Sequence, residues 1–173
     1  MKGTLPAVRL RPATPDDLAL LRHWDEQPHV GHSDPDDDDW DWATELRRSP
    51  AWREQLIAEE DGRPVGCVQI IDPRLEDTHY WGKVPAGRRA IDIWIGEADD
   101  LGGGYGTRIM QLALERCFTD PSVDSVWIDP LTNNVRAHRF YERLGFVFVE
   151  ERMFEGDHCR VYKMNRKNWQ SSR

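Results

Sequence analysis

The sequence predicts one α/β domain. Three observations carry that reading. Short runs such as VGCVQII (65–71) and RAIDIWI (89–95) have strand character, the second alternating Ile91, Ile93 and Ile95 with Asp92 and Trp94. Two longer segments, after residue 104 and after residue 134, space their apolar residues as a helix does. The length, 173 residues, suits a single unit that buries roughly 70% of its unfolded surface.

The elements follow in order. Val8 to Leu10 opens an extended run. In PATPDDLALLRHWDEQ, Thr14 or Asp16 is the N-cap and Pro15 stands near the first helical position, which predicts a helix from about Asp16 to Glu26. Residues 34–49 hold six aspartates in their first nine positions and arginines at the end, the charge order that suits a helix macrodipole. Trp52–Glu60 and Pro64–Asp72 read as a hairpin about Asp61-Gly62, and residues 73–88 as a loop. Residues 89–98 form a strand with Asp92 on the face opposite the isoleucines. A glycine run leads into a helix with Ile109, Leu112, Ala113 and Arg116 along it, then a strand from about 123 to 129. NNVRAHRFYERLG is a helix stopped by Gly145. FVFVEERMF and CRVYKMN pair antiparallel around Glu155-Gly156-Asp157.

Composition excludes several classes. Thirty-one acidic residues against 23 basic ones give a net charge of -8, which disfavours nucleic acid and favours neutral or cationic partners. Cys67, Cys117 and Cys159 are scattered, odd in number and without C-x-x-C spacing, so they read as reduced, buried residues. No apolar stretch reaches the length of a membrane span, and a soluble cytoplasmic protein is expected. His29 and His32 with Asp34 have the residue types of a metal set, but Pro28 and Gly31 predict a loop there, and no metal is expected.

LGGGYGTRIMQLALERCF (101–118) carries the first chemical signal. A tight glycine loop before a helix exposes the unpaired first-turn N–H groups and the positive end of the dipole, a setting for phosphate. The plain alternative is a connector. No Lys-Ser or Lys-Thr follows the last glycine, so a nucleoside triphosphate loop is not indicated. A dinucleotide fold would place its glycines early in a βαβ unit, whereas these lie past mid-chain. Gly104 and Gly106 carry most weight.

GGGYGT and, later, NNVRAHRFYERLGF (133–146) occur in the order in which the GNAT superfamily of N-acetyltransferases has its pyrophosphate loop and its Asn-x-x-Ala…Tyr-x-x-x-Gly-Phe helix. The chain resembles that family, and within it the aminoglycoside 6'-N-acetyltransferases of the antibiotic-resistance type. The likeness covers roughly residues 8–164, dense from 89 to 146 and thin before Trp52. It departs at Leu101, where the family often has Arg or Gln, so anion contact rests more on backbone N–H groups and Arg108.

The resemblance implies a mixed, mostly antiparallel central sheet flanked by helices, with splayed central strands holding acetyl-CoA. It assigns the cosubstrate to Ile93, Trp94 and Ile95 on the strand, to Gly102, Gly103, Gly104, Tyr105, Gly106 and Thr107 in the loop, and to Asn134, Arg136 and Ala137 on the later helix. Acetyl transfer needs an amine beside the thioester, a donor for the developing oxyanion and a proton for the leaving thiolate. Asp92 is the implied partner of the amine and Tyr141 of the thiolate. On the residues alone, Asp92 is equally a solvated outer-face carboxylate, Tyr141 a core aromatic and Asn134 a helix cap.

The aspartate run reads either as a solvated face or, with Trp40 and Trp42 interleaved, as an attractor for a polycationic sugar stacked on indole faces. Asp37, Trp40, Trp81, Asp92 and Asp129 are the candidate substrate contacts, with Asp77 and Tyr80 on the same loop as Trp81. The expected partner is a cationic small-molecule amine, an aminoglycoside by resemblance. The alternatives are a transferase of the same fold for another amine or a protein N-terminus, and a non-catalytic acetyl-CoA-binding module. Monomer and homodimer both stay open.

Overall fold

Seven strands form one sheet in a computed structural model that describes residues 3–31 and 40–173. They are β1 (Val8–Pro12), β2 (Arg53–Glu60), β3 (Arg63–Ile71), β4 (Arg88–Ile95), β5 (Ser125–Ile128), β6 (Val147–Phe154) and β7 (Asp157–Asn165). Their order is β1-β2-β3-β4-β5-β7-β6. The helices among the described residues are α1 (Leu18–Asp25), α2 (Pro28–Gly31), α3 (Trp42–Glu45), α4 (Tyr105–Thr119), α5 (Val135–Leu144) and α6 (Arg166–Ser171). The architecture is the mixed α/β arrangement the sequence predicts, a mostly antiparallel sheet flanked by helices. The chain divides into two compact units, Met1–Gln69 with Asp92–Ala113, and Ile70–Ile91 with Leu114–Arg173.

In the first unit β1 lies antiparallel to β2, from Val8↔Glu60 to Pro12↔Leu56. Thr14, with Asp17 three residues on, closes a capping box, and Pro15 begins the 3-10 turn that leads into α1. Leu21, Trp24, Trp42, Ile57 and Cys67 form the core here, with Trp40 and Trp94 packed against it. Burying one such indole is worth about 5 kcal/mol by area. Asp41 caps α3, accepting from Ala43 N at 3.3 Å and Thr44 N at 3.2 Å. Only this one-turn end of the segment expected to be helical is described, since His32 to Asp39 lie outside the described residues. Residues 28–31, expected as a loop, form the single turn α2. Proline at a first helical position and glycine at the last fit so short an element.

An ion cluster built on two buried carboxylates ties β1 to β2 and to the start of α1. Arg11 donates to Glu59 Oε1 at 2.6 Å and to both Asp17 oxygens at 2.8 and 2.7 Å, and Arg9 adds a bond to Glu59 Oε2 at 3.0 Å. Hydrogen bonds from Arg11 hold both carboxyls below their ordinary values of 3.8 and 4.5. Groups depressed in the folded state contribute stability above those values and lose it as pH falls through the folded ones. Asp25 runs the other way, since burial raises its carboxyl despite the bond from Trp42 Nε1 at 2.5 Å. The cluster has two members against one. The urea midpoint is therefore expected to fall between pH 6 and pH 3, and the Asp17→Asn/Glu59→Gln variant to start lower and show a flatter profile. A parent profile as flat as the variant's would remove the cluster from the acid response.

In the second unit β5 and β7 run antiparallel from Ser125↔Asn165 to Ile128↔Tyr162. β7 returns along β6 from the Glu155-Gly156 turn, with a bulge between Phe148 and Glu150. β4 meets β5 in parallel over Arg88↔Ser125, Arg89↔Val126 and Ala90↔Trp127. Gly145, at φ +100°, ends α5 in the left-handed conformation that makes glycine the natural residue there. The sequence reading missed α6. Its cap signal was local, the Asn165 side chain accepting from Asn168 N at 2.8 Å, whereas its packing partner is distant, Trp169 stacking on Phe118 at 4.8 Å. Cys67, Cys117 and Cys159 are reduced and buried, as expected, and burial pushes the Cys67 thiol well above its ordinary range. No described helix is long and apolar enough to cross a membrane.

Candidate active site

Burial along β4 does not follow simple strand alternation. Ala90 and Ile91 are buried, Asp92 is exposed, and Trp94 packs with its ring centre 6.1 Å from that of Trp42. Ile95 points the other way, toward Gly66 and Ile109, where a Cβ on Gly66 would stand 2.7 Å from the Trp94 carbonyl.

Past Ile95 the strand is clamped from α1 and α2. The Trp24 indole lies directly over Gly96, and its Nε1 donates to Glu97 Oε1 at 3.2 Å. His23 Nε2 meets the same oxygen at 2.9 Å. His29 Nε2 lies 2.7 Å from the Ile95 carbonyl, and because a carbonyl only accepts, that nitrogen carries the hydrogen. Neither contact is marked in the sequence, where His29 stands out only as a member of the set with His32 and Asp34, since contacts 66 and more residues apart leave no local pattern.

The glycine loop leaves the helix start bare. Gly102 and Gly104 take positive φ, +78° and +86°, whereas Gly106 lies inside α4. Of the pair weighted from sequence, Gly104 therefore needs its missing side chain for conformation, and Gly106 does not. The first helical bond is Arg108 N to Gly104 O at 3.1 Å, so the N–H groups of Tyr105, Gly106 and Thr107 precede it at the positive end of a 15-residue helix. A Cβ on Gly102 would meet nothing within 4 Å and would occupy the open space above the loop. These features suit a diphosphate. Arg63 donates to Asp100 at 2.9 and 3.2 Å and to the Tyr105 hydroxyl at 3.1 Å, and that hydroxyl donates to Glu60. The bond to Glu60 raises the Tyr105 phenol.

The second unit holds the remaining candidates. Tyr141 is buried at 8% exposure between Phe140 and Phe146, with ring centres 5.1 and 5.7 Å away. Asn134 caps α5, its side chain accepting from Ala137 N at 3.2 Å, while Arg136 is exposed. His138 is buried, Nε2 2.8 Å from Leu131 O. Asp129, just past β5, accepts from the Tyr80 hydroxyl at 2.6 Å, and Tyr80 stacks on Phe154 with centres 4.7 Å apart.

Trp81 is buried at 7% exposure in a cluster with Ala90, Phe154, Cys159 and Val161. Glu76 organises this loop: its buried carboxylate accepts from Thr78 N, Thr78 Oγ1 and Tyr80 N at 2.8, 2.7 and 3.0 Å. Sequence reasoning overlooked Glu76 because three polar residues in a loop look like solvated surface.

The aspartate run fares differently. Asp37 lies outside the described residues, as do Asp34, Asp36, Asp38, Asp39 and His32. Trp40 is half-buried, edge-on to Trp42 at 5.5 Å, with the Arg53 guanidinium over its ring. Trp42 is a core residue whose N–H is spent on Asp25, so its expected stacking face is inside the fold. Among the described residues no group of three or more His, Cys, Asp or Glu side chains is placed to hold a metal ion.

Residues 13–154 match the family described as acetyltransferase (GNAT) domain. The chain belongs to the GNAT acetyltransferases. Aminoglycoside N(6')-acetyltransferase type 1 of Klebsiella pneumoniae is 30% identical over 155 residues, spanning 81% of this chain and 74% of the relative. A kanamycin resistance protein of Rhizobium radiobacter is 38% identical over 73 residues, 42% of this chain and 68% of that one. The crystal structure of aminoglycoside acetyltransferase AAC(6')-Ib with coenzyme A superposes with a TM-score of 0.82 at 25% identity, covering 95% of this chain and 98% of the other.

Proposed function

We infer that this chain transfers the acetyl group of acetyl-CoA to the 6'-amino group of aminoglycosides. The observation that carries the reading is the likeness to an N(6')-acetyltransferase at 30% identity over 81% of the chain. A relative of the same fold has also been crystallised with coenzyme A and kanamycin together.

The residues divide the work. The N–H groups at Tyr105, Gly106 and Thr107 bind the diphosphate at the head of α4, where glycines let an anion approach the backbone. Gly102 and Gly103 complete that loop. Ile93, Trp94 and Ile95 present backbone groups to the pantetheine arm, and Asn134, Arg136 and Ala137 are assigned to the cosubstrate by family likeness. The cosubstrate supplies an activated acyl group, and no covalent enzyme adduct is needed.

Asp92 meets the amine. A carboxylate of ordinary pKa, about 3.9, is a poor base for an alkylammonium near 10, so the ammonium first loses a proton to solvent, and Asp92 orients the neutral amine by accepting a hydrogen bond from it. Once the N–C bond forms, the nitrogen becomes cationic and acidic, and Asp92 accepts its proton. Tyr141 holds the proton that the departing sulfur takes. By family likeness we assign Asp37, Trp40, Trp81 and Asp129 to the sugar, Asp129 being held by the Tyr80 hydroxyl.

Neomycin and paromomycin, which differ by an amino against a hydroxyl group at the 6' position, test this directly. Release of the CoA thiol is expected with neomycin and to be slight with paromomycin. Equal rates with both would move the reaction to another amine. Silence with both despite acetyl-CoA binding would remove the aminoglycoside assignment.

A further inference from the structure

Three consecutive glycines, Gly102 to Gly104, give up more backbone freedom on ordering than other residues would. Their set conformation must therefore be imposed from outside the loop, and both flanks are tied to one place. Before the loop, Asp100 receives the Arg63 guanidinium through two bonds, at 2.9 and 3.2 Å. After it, the Tyr105 hydroxyl accepts from Arg63 at 3.1 Å and donates to Glu60. Glu60 ends β2 and Arg63 begins β3, so both anchors project from the two-residue turn Asp61-Gly62, with φ of +50° and +79°. A third side is closed by Leu5 and Pro6, which a Cβ on Gly104 would meet at 3.3 and 3.4 Å.

We propose that Arg63, Glu60 and the Tyr105 hydroxyl are positioning residues, which fix the glycine loop so that the leading N–H groups of α4 converge on the diphosphate of the cosubstrate. This rests on the reading above that the loop binds acetyl-CoA. Charge gives Arg63 the larger share. Glu60 and Asp100 are two carboxylates beside an anion site, and the guanidinium between them cancels part of their repulsion. The Arg63 side chain is 52% exposed, and ion pairs that open to water add little to global stability. Loss of the brace is thus separable from loss of the fold.

S-acetylpantetheine tests it, because it keeps the thioester and the pantetheine arm and lacks the diphosphate. The readout is kcat/KM for acetyl-CoA divided by kcat/KM for S-acetylpantetheine, with the same aminoglycoside. The parent is expected to favour acetyl-CoA strongly. The ratio is expected to fall about tenfold in Arg63→Met and several-fold in the isosteric Tyr105→Phe, and the double variant to match Arg63→Met alone. A parent-like ratio in both single variants overturns the proposal. So does an equal fall with both acyl donors, the mark of a merely structural role. A parent that shows no preference for acetyl-CoA overturns the loop assignment itself, and the brace with it.

Discussion

Asp92→Asn is expected to lower kcat for aminoglycoside acetylation by about 100- to 10,000-fold, the range in which positioned proton acceptors act. Asparagine keeps the shape and can still hydrogen-bond an amine, but it cannot take the proton that must leave the nitrogen. Asp92 is exposed on β4, between the buried Ile91 and the half-buried Ile93, so the change leaves packing alone and the melting temperature should stay near that of the parent. The acetyl-CoA dissociation constant should also hold, because the loop and the head of α4 are untouched. Stopped-assay kinetics with kanamycin, beside calorimetric titration of acetyl-CoA, check both halves. Parent-like turnover in Asp92→Asn would return this residue to the solvated outer face of a strand.

Gly96→Ala is expected to cost about 3 kcal/mol of stability, at the upper end of overpacking substitutions. The added Cβ would stand 1.9 Å from Trp24 Cε2 and 2.1 Å from Nε1. The indole is only 1% exposed and has no room to retreat without opening the core formed with Leu21, Trp42, Ile57 and Cys67. At about 2–4 °C for each kcal/mol in a chain of this size, the melting temperature should drop by roughly 6–12 °C. Activity should fall with it, since displacing Trp24 strains the bond to Glu97 at the end of the strand that carries Asp92. A Gly96→Ala protein that melts within about 2 °C of the parent would show that the indole does not sit where it is placed.

What could be read in the sequence, and what could not, follows the range of the forces involved. Gly145, Thr14 and the helix after Gly104 were legible because caps, positive φ and helical spacing act within a few residues of the chain. The same locality let the Asp61-Gly62 turn define the β2–β3 hairpin. Asn165 carried an equally local cap signal for α6 that was passed over, since RKNWQS lacks an apolar stripe.

Other features were beyond that reach. His29 on Ile95, Trp24 on Glu97, Tyr80 on Asp129 and Arg63 on Asp100 join residues 37 to 73 positions apart, and nothing in either partner's neighbourhood announces the other. Trp42 shows the reverse error. Its place beside aspartates suggested an open stacking face, but hydrophobic burial of an indole outweighed its polar neighbours. Family likeness supplied what locality could not, above all the roles proposed for Asp92 and Tyr141.

The three buried cysteines have a practical corollary for everyone who assays this enzyme. Aromatic disulfide reagents develop colour with any accessible thiolate, and with Cys67, Cys117 and Cys159 all sealed in the interior, the folded protein should be silent toward them. The yellow signal then counts product alone. In denaturant the same reagent titrates three sulfhydryls per chain, so one cuvette chemistry serves both as a turnover meter and as a gauge of how much of a preparation has come undone.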